Sequence, residues 1–99
     1  MWDSAKYMAF DFETSGTLPE YALQPWRIAA GDTWATSLAT VRRVAGTAQV
    51  GGGLCVGRGA YPPEHYIQVM LQQAIDEQIT LVAWNALFDI SILIGYGFQ

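Results

Sequence analysis

The chain has 99 residues, nine acidic and five basic side chains, a formal charge of −4 and a single cysteine. That length supports one domain at most, and one cysteine excludes an internal disulfide framework. A hydrophobic share of 52% and an aromatic share of 13% exclude a disordered tail, and the net negative charge argues against binding nucleic acid by charge alone.

No apolar run approaches the length of a membrane span, and Met1 to Lys6 lacks the basic-then-apolar pattern of a signal peptide. The expected compartment is the cytoplasm, with no membrane partner. In chain order, Tyr7 to Phe12 reads as a short buried strand with a carboxylate inside it, closed by the turn-prone Glu13-Thr14-Ser15-Gly16. Leu18 to Asp32, with Pro19, Pro25 and Gly31, reads as a loop with room for one helical turn. Trp34 to Arg43 alternates loosely and predicts a second strand. Gly46-Thr47 predicts a turn, and Ala48 to Val56 a third strand weakened by Gly51, Gly52 and Gly53.

Pro62-Pro63-Glu64 opens a helix, because proline suits the first turn and an acid suits its positive end. Ile67, Met70, Leu71, Ala74, Ile75 and Ile79 recur at helical spacing and define its apolar face. Ile79 to Trp84 predicts a buried strand, Asn85 a helix cap, and Ala86 to Ile94 a buried helix ended by Gly95. Strands followed by helix, strand and helix imply a mixed sheet with helices on it, an α/β fold.

Two groups of residues carry chemistry. Asp11 and Glu13 lie two apart, so a strand puts them on one face. Two adjacent carboxylates suit a hard divalent cation with oxygen ligands, and the same pair also fits an exposed strand end. Asn85 and Asp89 lie four apart and share one face at the start of a helix. Asp89 then either needs a partner within an apolar helix, or faces water while Asn85 caps the helix.

Together the two groups form a recognisable pattern. Phe10-Asp11-Phe12-Glu13-Thr14 resembles the first motif of the proofreading 3′–5′ exonucleases, and Asn85-Ala86-Leu87-Phe88-Asp89 resembles their second. The intervening two strands and helix match as well. The chain is similar to the start of an exonuclease domain of the ribonuclease-H-like, four-carboxylate superfamily, and most similar to that of family A DNA polymerases. Leu23-Gln24-Pro25-Trp26-Arg27 suggests the phage-type members, for which the expected compartment is the host cytoplasm.

The resemblance implies a ribonuclease-H-like mixed sheet of antiparallel strands followed by αβα. It implies catalytic, metal-ligating roles for Asp11, Glu13 and Asp89, with Asp11 bridging two Mg²⁺ or Mn²⁺ ions. It places Thr14 against the terminal nucleotide, and Asn85 and Phe88 along a single-stranded 3′ end of DNA. The implied reaction is two-metal hydrolysis of the last phosphodiester within a DNA polymerase. Alternatives are part of a stand-alone RNA or DNA exonuclease, and a catalytically dead remnant that binds single strands or a protein.

The third motif of that family, a Tyr or His shortly before a fourth carboxylate, is absent. No acid follows Asp89, and Tyr96 is followed only by Gly97, Phe98 and Gln99. Residues 1–99 therefore read as an incomplete exonuclease domain, truncated before the last strand and helices, that lacks the remainder of a polymerase chain. On its own such a chain is expected to be inactive or weakly active. It is also expected to expose apolar surface around Ile90, Leu93 and Ile94, to be marginally stable and to self-associate.

The remaining residues take structural readings. Trp2, Trp26, Trp34 and Trp84 are expected as core or interface anchors, Cys55 as a small apolar residue and His65 as a surface residue near a helix start. Arg27, Arg42, Arg43 and Arg58 are expected as surface charges or phosphate contacts. One His and one Cys offer no zinc site.

Overall fold

A computed structural model describes residues 4–15, 23–83 and 85–98. The expectations for Trp2, Gly16, Leu18, Pro19 and Trp84 lie outside the described residues. A single turn of 3-10 helix, Ser4–Lys6, leads into β1 (Tyr7–Thr14). Then follow α1 (Pro25–Ala30), β2 (Ala35–Val44), β3 (Thr47–Leu54), α2 (Pro63–Asp76), β4 (Thr80–Ala83) and α3 (Ala86–Gly95). The four strands form one mixed sheet in the order β3-β2-β1-β4. β1 pairs antiparallel with β2 and parallel with β4, and β2 pairs antiparallel with β3. The α/β class and the mixed sheet expected from the sequence are present.

Strict alternation on β1 divides the molecule. Met8, Phe10 and Phe12 are buried, while Ala9, Asp11 and Glu13 are exposed. The buried set joins Ala35 and Leu38 of β2, Ile67 and Met70 of α2, Ile28 of α1 and Ile92 of α3 in one core. The opposite face of the sheet leaves Ala9, Ala39, Val41, Val50 and Val82 exposed. The strand is thus half-buried, and its carboxylates stand on the open face instead of inside the core.

α1 occupies part of the span expected as a loop. Pro25 takes the first helical position, where its missing N–H costs nothing, and Gly31 at φ 82° closes the helix, its N–H donating to the Ile28 carbonyl while the Asp32 N–H donates to that of Arg27. α2 starts at Pro63, as expected. Ile67 and Met70 are buried, but Ile75 is 71% exposed, so the helix turns it away from the sheet. α3 departs further from expectation. Only Asp89, Ser91 and Ile92 are buried on it, while Leu87 is 70% exposed. Ile90 and Ile94 are also exposed, and with Leu71, Leu93 and Phe98 they line a groove of about 330 Å³. Exposed apolar surface is therefore present where the sequence placed it. Trp26 and Trp34 are also exposed and do not anchor the core.

The β2–β3 connection is a two-residue turn, Ala45-Gly46, joining the Val44–Thr47 pair. Both residues have positive φ, 52° and 80°. A tight hairpin turn of this kind favours Asn or Gly, and alanine pays a conformational cost at the first position. Ala45→Asn is expected to stabilise the chain by about 0.5–1 kcal/mol, read as a higher denaturant midpoint at unchanged slope. A lower midpoint would contradict that account of the turn.

Candidate functional site

β1 and β4 run parallel, and their carboxyl ends, Thr14 and Ala83, lie at the same end of the sheet. Pairing between them stops at Phe10 and Ala83, so the backbone of β1 beyond Phe10 is free on that edge. The chain leaves β4 and enters α3 directly over this free edge. Open α/β sheets commonly build binding sites in this position.

Asp89 fills it. Its side chain is fully buried, and Oδ1 accepts a hydrogen bond from the Phe12 N–H at 3.1 Å. Phe12 lies between Asp11 and Glu13, so all three carboxylates belong to one neighbourhood. The structure thus selects a buried, partnered Asp89 over a water-facing one. The second carboxylate oxygen, Oδ2, is buried with no hydrogen-bond partner. Burial pushes the Asp89 carboxyl above its ordinary value, and the negative charges of Asp11 and Glu13 push the same way. The backbone N–H groups of Phe12 and Asn85 oppose the rise by stabilising the anion.

Asn85 sits at the N-cap of α3, as expected, but its side chain makes no capping hydrogen bond. It is exposed, whereas Phe88 and Thr14 are partly buried. The end of β1 is tied to the start of β2. Ser15 N–H donates to the Trp34 carbonyl at 2.8 Å, and Trp34 N–H donates to the Ser15 hydroxyl at 3.1 Å. The register of β1 and β2 shifts between Glu13 and Thr14, so this pair of strands bends at the site.

Among the described residues, no three His, Cys, Asp or Glu side chains stand close enough to hold one ion together. The donor chemistry nevertheless fits a hard divalent cation. Asp11, Glu13 and Asp89 offer oxygen alone, and the unpartnered Oδ2 of Asp89 is a buried anionic acceptor that a cation would satisfy.

Other candidates are engaged elsewhere. Arg27 pairs with Asp32 at 3.2 Å, and Arg42, with a side chain only 10% exposed, pairs with Glu77 at 2.9 Å. That pairing, with hydrogen bonding from Gln73, holds the Glu77 carboxyl below its ordinary value. Arg43 and Arg58 are exposed. His65 is exposed and stacks on Tyr61 with ring centroids 4.2 Å apart. Cys55 is partly buried, and burial raises its thiol pKa, which fits an unreactive side chain.

One residue near the site escaped sequence reading. The Tyr96 hydroxyl accepts the Ala35 N–H at 2.7 Å. A tyrosine among apolar residues signals that its hydroxyl requires a partner, but not which one. No protein-family model matches the chain, and no curated protein or solved structure is significantly similar to it.

Proposed function

We propose that the chain is part of a metal-dependent 3′–5′ exonuclease domain of ribonuclease-H-like type, acting on single-stranded 3′ ends of DNA within a DNA polymerase. The observation that supports this reading is the docking of the buried Asp89 carboxylate on the Phe12 N–H, between Asp11 and Glu13. Phe12 of the first motif and Asp89 of the second lie 77 residues apart along the chain and meet at one sheet edge. The strand order, with three antiparallel strands and a fourth parallel to the first, is also what this reading requires.

In this reading Asp11, Glu13 and Asp89 hold the cations, with Mg²⁺ or Mn²⁺ suited to their oxygen donors. When bound, a pair of such cations lowers the pKa of water and stabilises charge on a departing 3′-oxygen. Thr14, at the end of β1, meets the terminal nucleotide in this reading. In this reading Asn85, at the N-cap of α3, and Phe88, in its first turn, line the path of the strand, Phe88 by apolar contact with a base.

The test is a Mn²⁺ titration followed by thermal unfolding. A ligand that binds only the folded state at about 100 times its dissociation constant adds roughly 2.7 kcal/mol. The wild-type chain should gain stability with Mn²⁺, and Asp11→Asn and Glu13→Gln should each suppress the gain. A wild type indifferent to Mn²⁺ would remove the metal-dependent reading. A gain that both variants retain would place the ion elsewhere and favour a non-catalytic remnant.

A further inference from the structure

We infer that Tyr96 is a positioning residue for the Asp89 carboxylate, an inference that rests on reading Asp11, Glu13 and Asp89 as one site. Asp89 and Tyr96 are seven residues apart, two helical turns, so they lie on the same side of α3 and its C-terminal cap. Each accepts one backbone N–H from the sheet. Asp89 takes that of Phe12 at 3.1 Å, and Tyr96 takes that of Ala35 at 2.7 Å. Ile92, between them, is fully buried.

Both anchors lie at the same end of the sheet. Ala35 pairs with Thr14 across β1 and β2, next to the register shift after Glu13. The Tyr96 bond therefore fixes the far end of α3 to the start of β2, where β2 pairs with the end of β1, the strand that carries the site's other carboxylates. A third contact closes the arrangement. α1 rests so tightly on Gly95 that a Cβ there would lie 2.7 Å from the Ile28 Cβ and 3.0 Å from the Pro25 carbonyl oxygen. α3 is thus held from three sides, and its tilt sets how Asp89 meets β1.

Tyr96→Phe keeps the ring and removes the acceptor. Ala35 is 1% exposed, so its N–H loses a partner in a place where water has little access. If Tyr96 positions Asp89, release of this end lets α3 pivot, and the Phe12–Asp89 bond loosens two turns away. If Tyr96 only fills space, Ala35 alone feels the change.

Amide hydrogen exchange on the 99-residue chain, followed by NMR, separates the two. In Tyr96→Phe the Ala35 and Phe12 amides are expected to exchange about tenfold faster, the fold-change of one lost hydrogen bond, while β3 amides keep their wild-type rates. Mn²⁺ affinity is expected to fall about tenfold in parallel. An unchanged Phe12 rate beside a faster Ala35 overturns the inference. Equal acceleration across β3, or loss of the wild-type far-UV spectrum, overturns it too, because the hydroxyl would then support the whole fold. If the wild type does not respond to Mn²⁺, the exonuclease reading fails while the exchange rates still decide the role of Tyr96.

Discussion

Asp89→Asn is expected to raise the unfolding temperature of the chelator-treated protein and to abolish its gain with Mn²⁺, whereas Asp89→Ala is expected to lower the unfolding temperature. The opposite signs follow from what each variant keeps. Asparagine retains an oxygen for the Phe12 N–H and removes the buried charge that Asp11 and Glu13 repel. Alanine leaves the Phe12 N–H without a partner, which costs about 1–3 kcal/mol. For a domain of this size that is a fall of roughly 4–24 °C.

The pH dependence adds a second readout. The folded-state pKa of Asp89 is raised, so between its unfolded and folded values the native state binds more protons than the unfolded chain. Stability from this group is present below the unfolded value, near 3.8, and is lost as pH rises through the folded value. Glu77 acts with the opposite sign. Its folded pKa is lowered, so its contribution is present above its unfolded value and is lost as pH falls through its folded value. Both proteins carry Glu77, so the difference between wild type and Asp89→Asn isolates Asp89. That difference should widen as pH rises through the Asp89 window and then level off. A difference that stays constant across acid and neutral pH would show that the Asp89 charge is not penalised by burial.

The legibility of this chain follows the range of the interactions. The existence of β1 is readable from its short apolar, aromatic run, and the common face of Asp11 and Glu13 follows from strand geometry, but the run does not show that only one face is covered or that the strand continues through Glu13 and Thr14. The start of α2 was readable because Pro63 and Glu64 act through the helix's own first turn. α1 was hidden by Pro25, which reads as a breaker until Gly31 is taken as the matching C-terminal signal six residues later. The exposure of Ile90 and Ile94 follows from an apolar helix with too few elements to cover it, but that of Leu87 departs from the buried helix expected over Ala86 to Ile94, because an apolar helix does not say which of its sides another element covers. The partners of Asp89 and Tyr96 were out of reach for a different reason. They are single backbone groups 77 and 61 residues away, and no local pattern encodes a contact at that distance.

Gly52→Ala should disrupt the β2–β3 pair, although Gly52 is exposed on a strand that contributes almost nothing to the core. The run of three glycines reads as a weakness in β3, yet Gly52 has a strict steric role. Its φ is 84°, and an added Cβ would lie 2.1 Å from the Leu38 carbonyl oxygen and 2.8 Å from the Leu38 carbonyl carbon. Both obstacles are backbone, so no rotamer change relieves them. The left-handed conformation costs a side-chain-bearing residue about 1–3 kcal/mol, and forced overlap adds a comparable amount. Leu38 is 2% exposed and pairs with Phe12 on β1, the residue whose N–H holds Asp89. Displacing β2 at Leu38 therefore reaches the candidate site through one strand pairing. The expected result is a melting temperature lower by roughly 10 °C or more, at about 4–8 °C per kcal/mol. Gly46→Ala provides the control, because Gly46 has φ 80° and nothing within 4 Å of an added Cβ, so it bears the conformational cost alone. The loss in Gly52→Ala should clearly exceed that in Gly46→Ala, and equal losses would show that the close approach to Leu38 carries no penalty.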